Sequence, residues 1–397
     1  MEFSENNIIA YFQPILCAAA KKIYSFEILG RYINMDGNIK SLGEFFSDEK
    51  TTHDEALRVD RIVRRKAMEK YAQEERTEYL FINIRLAWLD NFVENPEDMP
   101  TIQWARELGI DTGKIVIEIT EEEFIADETH INILSYYKES GCRIALDDYG
   151  KNASNIERLA FLQPDIIKIN IDYIHKSESS YYYREYLKSL ASFAEAVGIE
   201  ILYEGIETQK QLEICISSKG RLYQGFLIAY PQASMNNAVV NYNVFSCSAD
   251  AVYNKQNKRF MHTDLLKNYI DSKIELFLLD NPGFFLTEEI DKYLFCLCNK
   301  LPEVIRIYLC NKHGVQITCN YEWKPDDIFR RDYLSNNWAW RGFFHEAMKK
   351  FISGGKSGLS SAYRDFTSKE RIFTYFYALS DDVYLFADIK RRPFISV

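Results

Sequence analysis

The stretch RIALDD at residues 143–148 is a short apolar run that ends in two acidic residues. A run that is apolar nearly throughout is typical of a strand buried on both faces of a sheet. Residues 131–140 before it carry apolar side chains at helical spacing, and Gly141 follows them where a left-handed helix cap suits glycine. We therefore predict a helix, a turn and a buried strand in this order.

The same pattern recurs along the first part of the chain. Further strands are predicted at residues 79–84, 114–120, 165–171, 200–204 and 223–228. Helical stretches, such as residues 183–197, lie between them. Strands that alternate with helices indicate βαβ units and a parallel sheet. The number of units favours an α/β fold, a (β/α)8 TIM-like barrel, over an open sheet, although the pattern alone leaves closure undecided.

The composition changes after the last of these strands. Residues 236–248 are rich in Asn and Ser, which indicates a boundary, and residues 262–279 have the charged, amphipathic pattern of a connecting helix. Residues 303–321 and 371–389 each have the pattern of a β-hairpin, with a helix near residues 343–352 between them. The predicted parts are a barrel domain over residues 1–240, a linker and connecting helix over 241–281, and a small α+β sensor domain over 282–397.

The composition also limits the partners and the location. Of the 397 residues, 47% are hydrophobic and 27% charged, which is typical of a folded protein. Lys and Arg number 48 against 58 Asp and Glu, so the formal net charge is −10 and we expect no duplex nucleic acid partner. No apolar run approaches the about 18 residues of a membrane span. Residues 1–7 lack the features of a signal peptide, so we predict a cytoplasmic protein.

Polar residues occupy the ends of the predicted strands, where the chemistry of such barrels is carried out. These residues are Asn83, Glu118, Asp147 with Asp148, Lys168, Glu204 and Gln224. Together with Glu27 they offer mainly oxygen ligands, which suit Mg²⁺ or Mn²⁺ rather than zinc. The adjacent Asp147 and Asp148 can reach one site only if the chain turns there, and Gly150 permits a turn.

Two of these residues have the chemistry of catalytic groups. Glu204 is a candidate general base for a water that attacks phosphorus. Lys168 is a cation in an acidic ring and can hold that water or neutralise a phosphoryl oxygen. The alternative is that each acidic residue caps a helix or lies in solvent, and that the lysine is merely ion-paired. The pattern alone leaves both interpretations open.

Motifs over residues 8–232 resemble the EAL-domain phosphodiesterases of bacterial cyclic di-GMP signalling. The signature tripeptide stands at residues 27–29, with Ile28 in place of Ala. The matching segments are residues 11–15, 26–31, 82–84, 117–121, 146–150, 167–169, 203–208 and 223–226.

The resemblance implies the hydrolysis of cyclic di-GMP to linear pGpG. It further implies Mg²⁺ or Mn²⁺ as the cofactor, Ca²⁺ as an inhibitor, and a homodimer. The implied metal ligands are Glu27, Asn83, Glu118, Asp147 and Asp148, and the implied catalytic groups are Glu204 and Lys168. The implied ligand-binding residues are Gln13, Leu29, Arg31 and Gln224, and the implied supporting residues are Glu121 and Glu207.

Two departures from the family pattern favour a second function. Asn170 stands where the family usually has Asp, so a second metal would bind more weakly. The loop at residues 151–155 reads KNASN and lacks the glycine that the family has there. Both changes can slow catalysis and leave nucleotide binding intact. The alternative is therefore a catalytically impaired receptor for cyclic di-GMP. A third hypothesis, an interaction module that no longer binds the nucleotide, conflicts with the complete set of acidic residues.

The last third of the chain resembles the terminal domain of YkuI-type EAL proteins of bacilli, on residues 306–310 and 337–344. The resemblance implies a PAS-like or Cache-like domain that senses an unknown small ligand or protein. Trp338, Trp340 and Arg341 then have two interpretations. They form an aromatic core with an ion-paired arginine, or they line a ligand pocket.

Overall fold

A computed structural model describes residues 3–120, 128–150, 156–324, 327–331 and 333–390. The predictions that concern Glu121 and residues 151–155 lie outside this range. The chain divides into two compact units, Met1–Asn254 and Lys255–Val397, and each is described by itself.

The first unit is a closed barrel. Its strands are β1 (Ile8–Cys17), β2 (Lys22–Ile33), β3 (Ile39–Ser41), β4 (Tyr79–Asn83), β5 (Ile115–Thr120), β6 (Arg143–Tyr149), β7 (Ile166–Ile169), β8 (Glu200–Tyr203) and β9 (Leu222–Tyr223). They lie in the order β1-β9-β8-β7-β6-β5-β4-β2-β3, and the pairing of β1 with β2 closes a ring of eight strands. The predicted TIM-like barrel is therefore confirmed.

Helices connect the strands and pack on the outside of the barrel. They are α1 (Gly43–Ser47), α2 (His53–Gln73), α3 (Pro100–Glu107), α4 (Glu128–Glu139), α5 (Ile156–Leu162), α6 (Ile171–Ser179), α7 (Tyr181–Val197) and α8 (Gln209–Ser217). Apolar side chains of the helices and of the outward strand faces form one continuous core. The start of α2 has a capping box, in which Thr52 and Glu55 each bind the other's backbone N–H. Gly198 ends α7 in the left-handed conformation, which suits glycine.

One strand departs from the predicted parallel sheet. β1 runs antiparallel to both β2 and β9, whereas the six other pairs of the ring are parallel. Only four residues, 18–21, separate β1 from β2. A parallel connection needs a crossover of about a dozen residues or more, so this short link forces a hairpin.

The second unit contains an antiparallel sheet. Its strands are β10 (Val304–Asn311), β11 (Asn320–Lys324), β12 (Asp327–Arg331), β13 (Ser357–Leu359), β14 (Tyr363–Arg364), β15 (Arg371–Ala378) and β16 (Val383–Lys390). The order is β12-β11-β10-β16-β15-β13, and β14 pairs with β15. Both predicted hairpins are present, as β10 with β11 and as β15 with β16.

The helices that follow in the described residues are α9 (Tyr242–Asp280), which begins in the first unit, α10 (Ile290–Lys300) and α11 (Gly342–Ile352). The predicted connecting helix at residues 262–279 is only the later part of α9. Asn and Ser have a low intrinsic helix propensity. Phe245 and Ser248 are nonetheless buried in the first unit, and the free energy gained by this burial outweighs the low helix propensity. Among the helices of the described residues, none has both the length and the apolar character needed to span a bilayer.

Candidate active site

Side chains alternate between the two faces of a β-strand, and this alternation places the polar residues at the strand ends inside the barrel. An apolar cluster fills the interior, and six of its eight buried members among the described residues lie two residues before a predicted site residue. These pairs are Phe81 and Asn83, Val116 and Glu118, Ala145 and Asp147, Ile166 and Lys168, Leu202 and Glu204, and Leu222 and Gln224. Because residues i and i+2 share a face, the polar side chains lie directly above the apolar plug at the carboxyl ends of the strands.

Lys168 lies at the centre of the site and is 1% exposed. Its Nζ is 2.8 Å from Glu118 Oε1, 3.1 Å from Asp147 Oδ1, 3.3 Å from Glu204 Oε2 and 3.4 Å from Glu27 Oε1. One ammonium thus faces carboxylates from four different strands or strand ends. The four carboxylates around Lys168 come from positions up to 177 apart in the sequence, from Glu27 to Glu204.

Glu27 is held by amides as well as by the lysine. Gln224 Nε2 donates to Glu27 Oε2 at 2.5 Å, and Asn83 Nδ2 donates to Glu27 Oε1 at 3.3 Å. Gln13 lies directly opposite Glu27 in the β1–β2 hairpin, and its Oε1 accepts a hydrogen bond from the same Gln224 amide at 3.1 Å. The other end of the Gln13 amide donates to the Ala229 carbonyl at 3.0 Å. Gln13 and Gln224 therefore orient Glu27.

The two adjacent aspartates reach one site because the chain turns after β6, as predicted. Asp148 has a φ of 55° and Gly150 a φ of 99°, both in the left-handed region. The carboxylate oxygens of Asp147, Asp148 and Glu204 lie within 4.8 Å of one another. Asn170 Nδ2 donates to Asp148 Oδ1 at 2.6 Å, and Asn170 Oδ1 accepts from the backbone N–H of Asp172 as the N-cap of α6.

Burial and mutual repulsion shift the acidities in this cluster. Burial raises the pKa of Glu204 to about 8, although Lys168 opposes this change. Burial also raises the pKa of Glu118 and of Asp147. Burial would raise the pKa of Glu27 too, but the lysine and the amide hydrogen bonds outweigh it and keep that pKa below its usual value. Burial alone would lower the pKa of Lys168, yet the surrounding carboxylates, Asp147 foremost, raise it well above its usual value.

The donor set fits a hard divalent cation. Glu118 is 1% exposed, and its buried Oε2 has no hydrogen-bond partner among the described residues. The carboxylates outnumber the single ammonium, and a buried excess of negative charge is costly unless cations compensate for it. All the candidate ligands are carboxylate or amide oxygens, which Mg²⁺, Mn²⁺ and Ca²⁺ prefer. The residues predicted as metal ligands therefore suit such an ion.

A cavity of about 310 Å³ opens beside these carboxylates. The predicted ligand-binding residues Leu29 and Arg31 line it, together with Asn83 and Glu118. Gln13 and Gln224 are not among its lining residues. The sequence analysis missed Arg85, which also lines the cavity and donates from Nη2 to the Phe46 carbonyl at 2.8 Å. Its position two residues after Asn83, at the end of a barrel strand, was the signal that could have identified it.

One predicted supporting residue lies apart from the cluster. Glu207 is exposed, and its side chain makes no hydrogen bond or ion pair with the described residues. Its backbone N–H donates to Gln211 Oε1 at 2.9 Å near the start of α8. The structure therefore does not bring the Glu207 carboxylate to the site.

Comparison with known proteins agrees with this geometry. A family model described as the EAL domain matches residues 1–231, which is more than half of the chain. The chain belongs to the EAL-domain family. A second model, described as an EAL-domain associated signalling protein domain, matches residues 247–394 of this EAL protein.

Two relatives illustrate the range of the EAL family. The EAL-domain containing protein YkuI of Bacillus subtilis is 28% identical over 97% of this chain and 94% of its own length. The probable cyclic di-GMP phosphodiesterase PdeB of Escherichia coli is 29% identical over 52% of this chain, which corresponds to 39% of PdeB. The predicted resemblance to YkuI-type EAL proteins is confirmed.

Solved EAL structures show the same fold. The crystal structure of Bacillus subtilis YkuI in complex with substrate cyclic di-GMP and calcium matches 98% of this chain and 98% of that chain, with a TM-score of 0.86 and 28% identity. A standalone EAL protein of Vibrio cholerae bound to cyclic di-GMP matches 62% of this chain and 98% of that chain, with a TM-score of 0.52 and 25% identity.

Proposed function

We propose that the EAL barrel hydrolyses one phosphodiester bond of cyclic di-GMP and releases linear pGpG. The observation that carries this proposal is the ring of carboxylates around Lys168, which includes the partnerless Oε2 of Glu118. Relatives named as probable cyclic di-GMP phosphodiesterases, and the YkuI complex with substrate cyclic di-GMP, support the choice of substrate.

The carboxylates and one amide would hold two divalent cations. The first would be bound by Glu27, Asn83, Glu118 and Asp147, and the second by Asp147 and Asp148. Bound Mg²⁺ or Mn²⁺ would supply Lewis-acid chemistry and lower the pKa of a coordinated water. We expect Ca²⁺ to inhibit, and the YkuI structure, which holds substrate together with calcium, is consistent with that expectation.

Glu204 and Lys168 would handle the proton and the charge. Glu204 would accept the proton of the attacking water, because cations bound in the ring would lower its pKa from the value of about 8 that burial gives it and leave the carboxylate ionised. Lys168 neutralises charge on a phosphoryl oxygen or holds the water, since its ammonium is fixed by surrounding carboxylates. A bond forms between phosphorus and the water oxygen as the bond between phosphorus and the ribose oxygen breaks, and the ribose oxygen takes up a proton from solvent to become a hydroxyl.

The cavity beside the ring would take part of the dinucleotide. Arg31 and Arg85 line it and supply positive charge toward the phosphates, and Leu29 supplies an apolar surface. Gln13 and Gln224, predicted as ligand contacts, would act mainly by orienting Glu27, because both lie in its hydrogen-bond network.

A second candidate function is a cyclic di-GMP receptor with impaired catalysis. The hydrogen bond from Asn170 to Asp148 favours it, because the amide occupies a carboxylate oxygen that a second cation would use. The first-metal ligands and the cavity are unaffected by this contact, so nucleotide binding would persist.

The remaining predictions concern the whole protein. We propose that the second unit regulates the barrel as a PAS-like or Cache-like sensor, and that the protein is a cytoplasmic homodimer. The boundaries at residues 240 and 281 stay predictions. The matches over residues 1–231 and 247–394 support a division of this kind.

Turnover distinguishes the enzyme from the receptor. Purified protein is incubated with cyclic di-GMP and Mn²⁺, Mg²⁺ or Ca²⁺, and pGpG is followed by chromatography. We expect product with Mn²⁺ and Mg²⁺, and none from Glu204→Gln, which should still bind the nucleotide. Glu195→Gln, an exposed surface change, is the matched control and should behave like the wild type. Binding without product in the wild type would establish the receptor.

A further inference from the structure

The outer side of α9 in the second unit is apolar where a surface helix is ordinarily polar. Met261, Leu265, Leu276 and Leu279 are between 61% and 78% exposed, and Tyr269 is 40% exposed. At about 100° of rotation per residue, these five side chains fall within about 80° of one another around the helix axis, over a length of about 28 Å. We name this surface the α9 face.

The α9 face is not the side of the helix that packs on the sheet. Ile270, Ile274 and Phe277 are at most 2% exposed and belong to the core of the second unit. They project from the opposite side of the helix. The later part of α9 is thus apolar on two sides, and the described residues cover only one of them. A contiguous exposed apolar surface of this kind is typical of an interaction site.

Charged side chains border the α9 face differently on its two edges. The first border carries Lys255, Lys258, His262, Lys273 and Asp280, and the second carries Asp264 and Glu275. Asp271 lies further round the helix and is paired with Lys267 at 2.6 Å. With the histidine neutral, three lysines and one aspartate give the first border a net charge of +2, and the second has −2. The two borders are therefore electrostatically complementary to each other.

Lys273 and Glu275 are the closest pair of opposite charges on the two borders. The Lys273 ammonium lies 5.6 Å from the ring centroid of Tyr269, and Glu275 interacts electrostatically with Lys356. Neither Lys273 nor Glu275 forms an ion pair within the described part of the chain. Both side chains can therefore form an ion pair across an interface.

We propose that the α9 face binds the α9 face of a second copy of this chain, with the two helices parallel. In a parallel pair related by a two-fold axis, the first border of one helix meets the second border of the other, as the two flanks do in a parallel coiled coil. Lys273 then lies beside the partner's Glu275, and the reciprocal pair forms by symmetry. An antiparallel pair would bring borders of like charge together.

A membrane surface is a poorer occupant of the α9 face. A helix that lies on a membrane is rich in Lys and Arg on its polar side, whereas one border of this face is acidic. The proposal gives the proposed homodimer an interface and depends on no step of the hydrolysis.

The size of the face predicts a reversible dimer. A strip about 28 Å long and about 10 Å wide covers about 280 Å² per copy, against about 800 Å² per partner in an interface of standard size. Sedimentation velocity of the full chain between about 1 and 100 µM therefore measures the dissociation constant of the dimer. A wild-type chain that stays monomeric over this range would overturn the proposal.

Charged substitutions test the surface. Leu265→Asp combined with Leu276→Asp should raise the dissociation constant at least about hundredfold, because four uncompensated charges would be buried in each dimer. Phe260→Asp is the matched control, since Phe260 is 71% exposed on the same helix but lies outside the face, and it should leave the constant unchanged. Circular dichroism confirms that each variant is folded. A folded double variant that dimerises like the wild type would place the interface elsewhere and overturn the proposal.

A disulfide cross-link tests the orientation. Met261→Cys is combined with Cys247→Ser and Cys296→Ser, which remove the exposed native thiols. The two introduced thiols are neighbours in a parallel pair, whereas an antiparallel pair centred on the face holds them about 27 Å apart, beyond the reach of a disulfide. We expect mild oxidation to give a covalent dimer. Arg259→Cys in the same background lies on another side of the helix and should give little. Equal cross-linking of both variants, or none of Met261→Cys, would overturn the parallel pair.

Reversal of the charges tests the pairing of the borders. Glu275→Lys should raise the dissociation constant about two- to tenfold, because like charges then meet twice in each dimer. Addition of Lys273→Glu to the same chain restores opposite charges and should return the constant close to that of the wild type. A double variant that stays as weak as Glu275→Lys would contradict the pairing. Since none of these measurements depends on the hydrolysis of cyclic di-GMP, failure of the proposed enzyme function and failure of this interface are distinguishable.

Discussion

At the scale of single residues, Lys168 is the cation that lets a ring of acidic side chains exist in the apo barrel. It is 1% exposed, and its Nζ lies within 3.4 Å of four carboxylates. Removing one partner of a buried ion pair leaves a charge uncompensated and costs about 3–5 kcal/mol, far more than the loss of a surface pair. Lys168 therefore neutralises part of the ring, and the proposed cations would neutralise the rest.

We predict that Lys168→Met destabilises the apo protein by about 3–5 kcal/mol and that Mn²⁺ restores part of the loss. Urea unfolding with and without Mn²⁺ measures both effects. Lys210→Met, which removes an exposed partner of Glu178, is the matched control and should cost less than about 1 kcal/mol. A Lys168→Met protein as stable as the wild type without metal would contradict the role of Lys168.

Asn170 has a structural task that the sequence did not reveal. Its side chain caps α6 and at the same time donates to Asp148. Aspartate is an equally good N-cap, but at this position it would place a second carboxylate beside Asp148. The two charges repel each other unless a cation lies between them.

We therefore predict that Asn170→Asp raises turnover and makes it more dependent on metal concentration, because the new carboxylate adds a ligand for the second cation. Rates measured across a Mn²⁺ titration check this expectation. Asn170→Ser keeps the cap without the charge and should not raise the rate. An unchanged rate for Asn170→Asp at every Mn²⁺ concentration would rule out the missing carboxylate as the limiting factor.

At the scale of elements, the turn after each barrel strand determines where its last side chain points. Gly205 follows Glu204 with a φ of 64°, a conformation that L side chains rarely adopt. A Cβ at this position would lie 2.5 Å from Ile171 Cδ1 at the start of α6. The close approach of this turn to α6 thus keeps the Glu204 carboxylate at the ring.

We predict that Gly205→Ala destabilises the protein by about 1–3 kcal/mol more than Gly198→Ala. Gly198 also has a left-handed φ, of 78°, but a Cβ there would meet no atom within 4 Å, so this control isolates backbone strain from the clash. Chemical denaturation gives the two free energies of unfolding. Turnover should fall in Gly205→Ala only. Equal free-energy losses would mean that the clash is relieved without moving α6.

The element α9 shows how packing extends a helix beyond its sequence signal. Residues 242–248 contain two Ser and one Asn, which favour caps and turns over helix interiors. Phe245 and Ser248 are nonetheless buried, and the chain is helical from Tyr242. Apolar burial of about 1.5–3 kcal/mol per large side chain exceeds the propensity deficit of a few such residues.

At the scale of the whole molecule, each unit has its own hydrophobic core. The described core residues of the first unit come from the barrel, its helices and the start of α9, and those of the second come from its sheet with the later part of α9, α10 and α11. Units with separate cores unfold separately when few contacts join them. Ligand binding then stabilises only the unit that binds.

We predict two thermal transitions in scanning calorimetry. Cyclic di-GMP with Ca²⁺, at about a hundredfold excess over its Kd, should raise one transition by roughly 5–10 °C and leave the other in place. Ca²⁺ alone is the control for the nucleotide. A single transition that moves as a whole would show that the two units unfold cooperatively.

Local patterns by themselves determined much of this protein. The alternation of apolar runs with amphipathic segments predicted the βαβ units, and the position of a polar residue at each strand end predicted the members of the ring. Both features depend on residues close together in the sequence, where the strand period and the helix period hold whatever the rest of the chain does.

Tertiary structure alone decided the contacts between distant residues. The direction of β1, the amide network that holds Glu27 and the link from Asn170 to Asp148 all depend on register and on side-chain packing. Sequence periodicity defines which face a residue occupies, but it carries no information on which residue of another strand lies opposite. Closure of the barrel brings these partners within hydrogen-bonding distance of one another. Their charges and hydrogen-bond donors determine the pairing only at that distance.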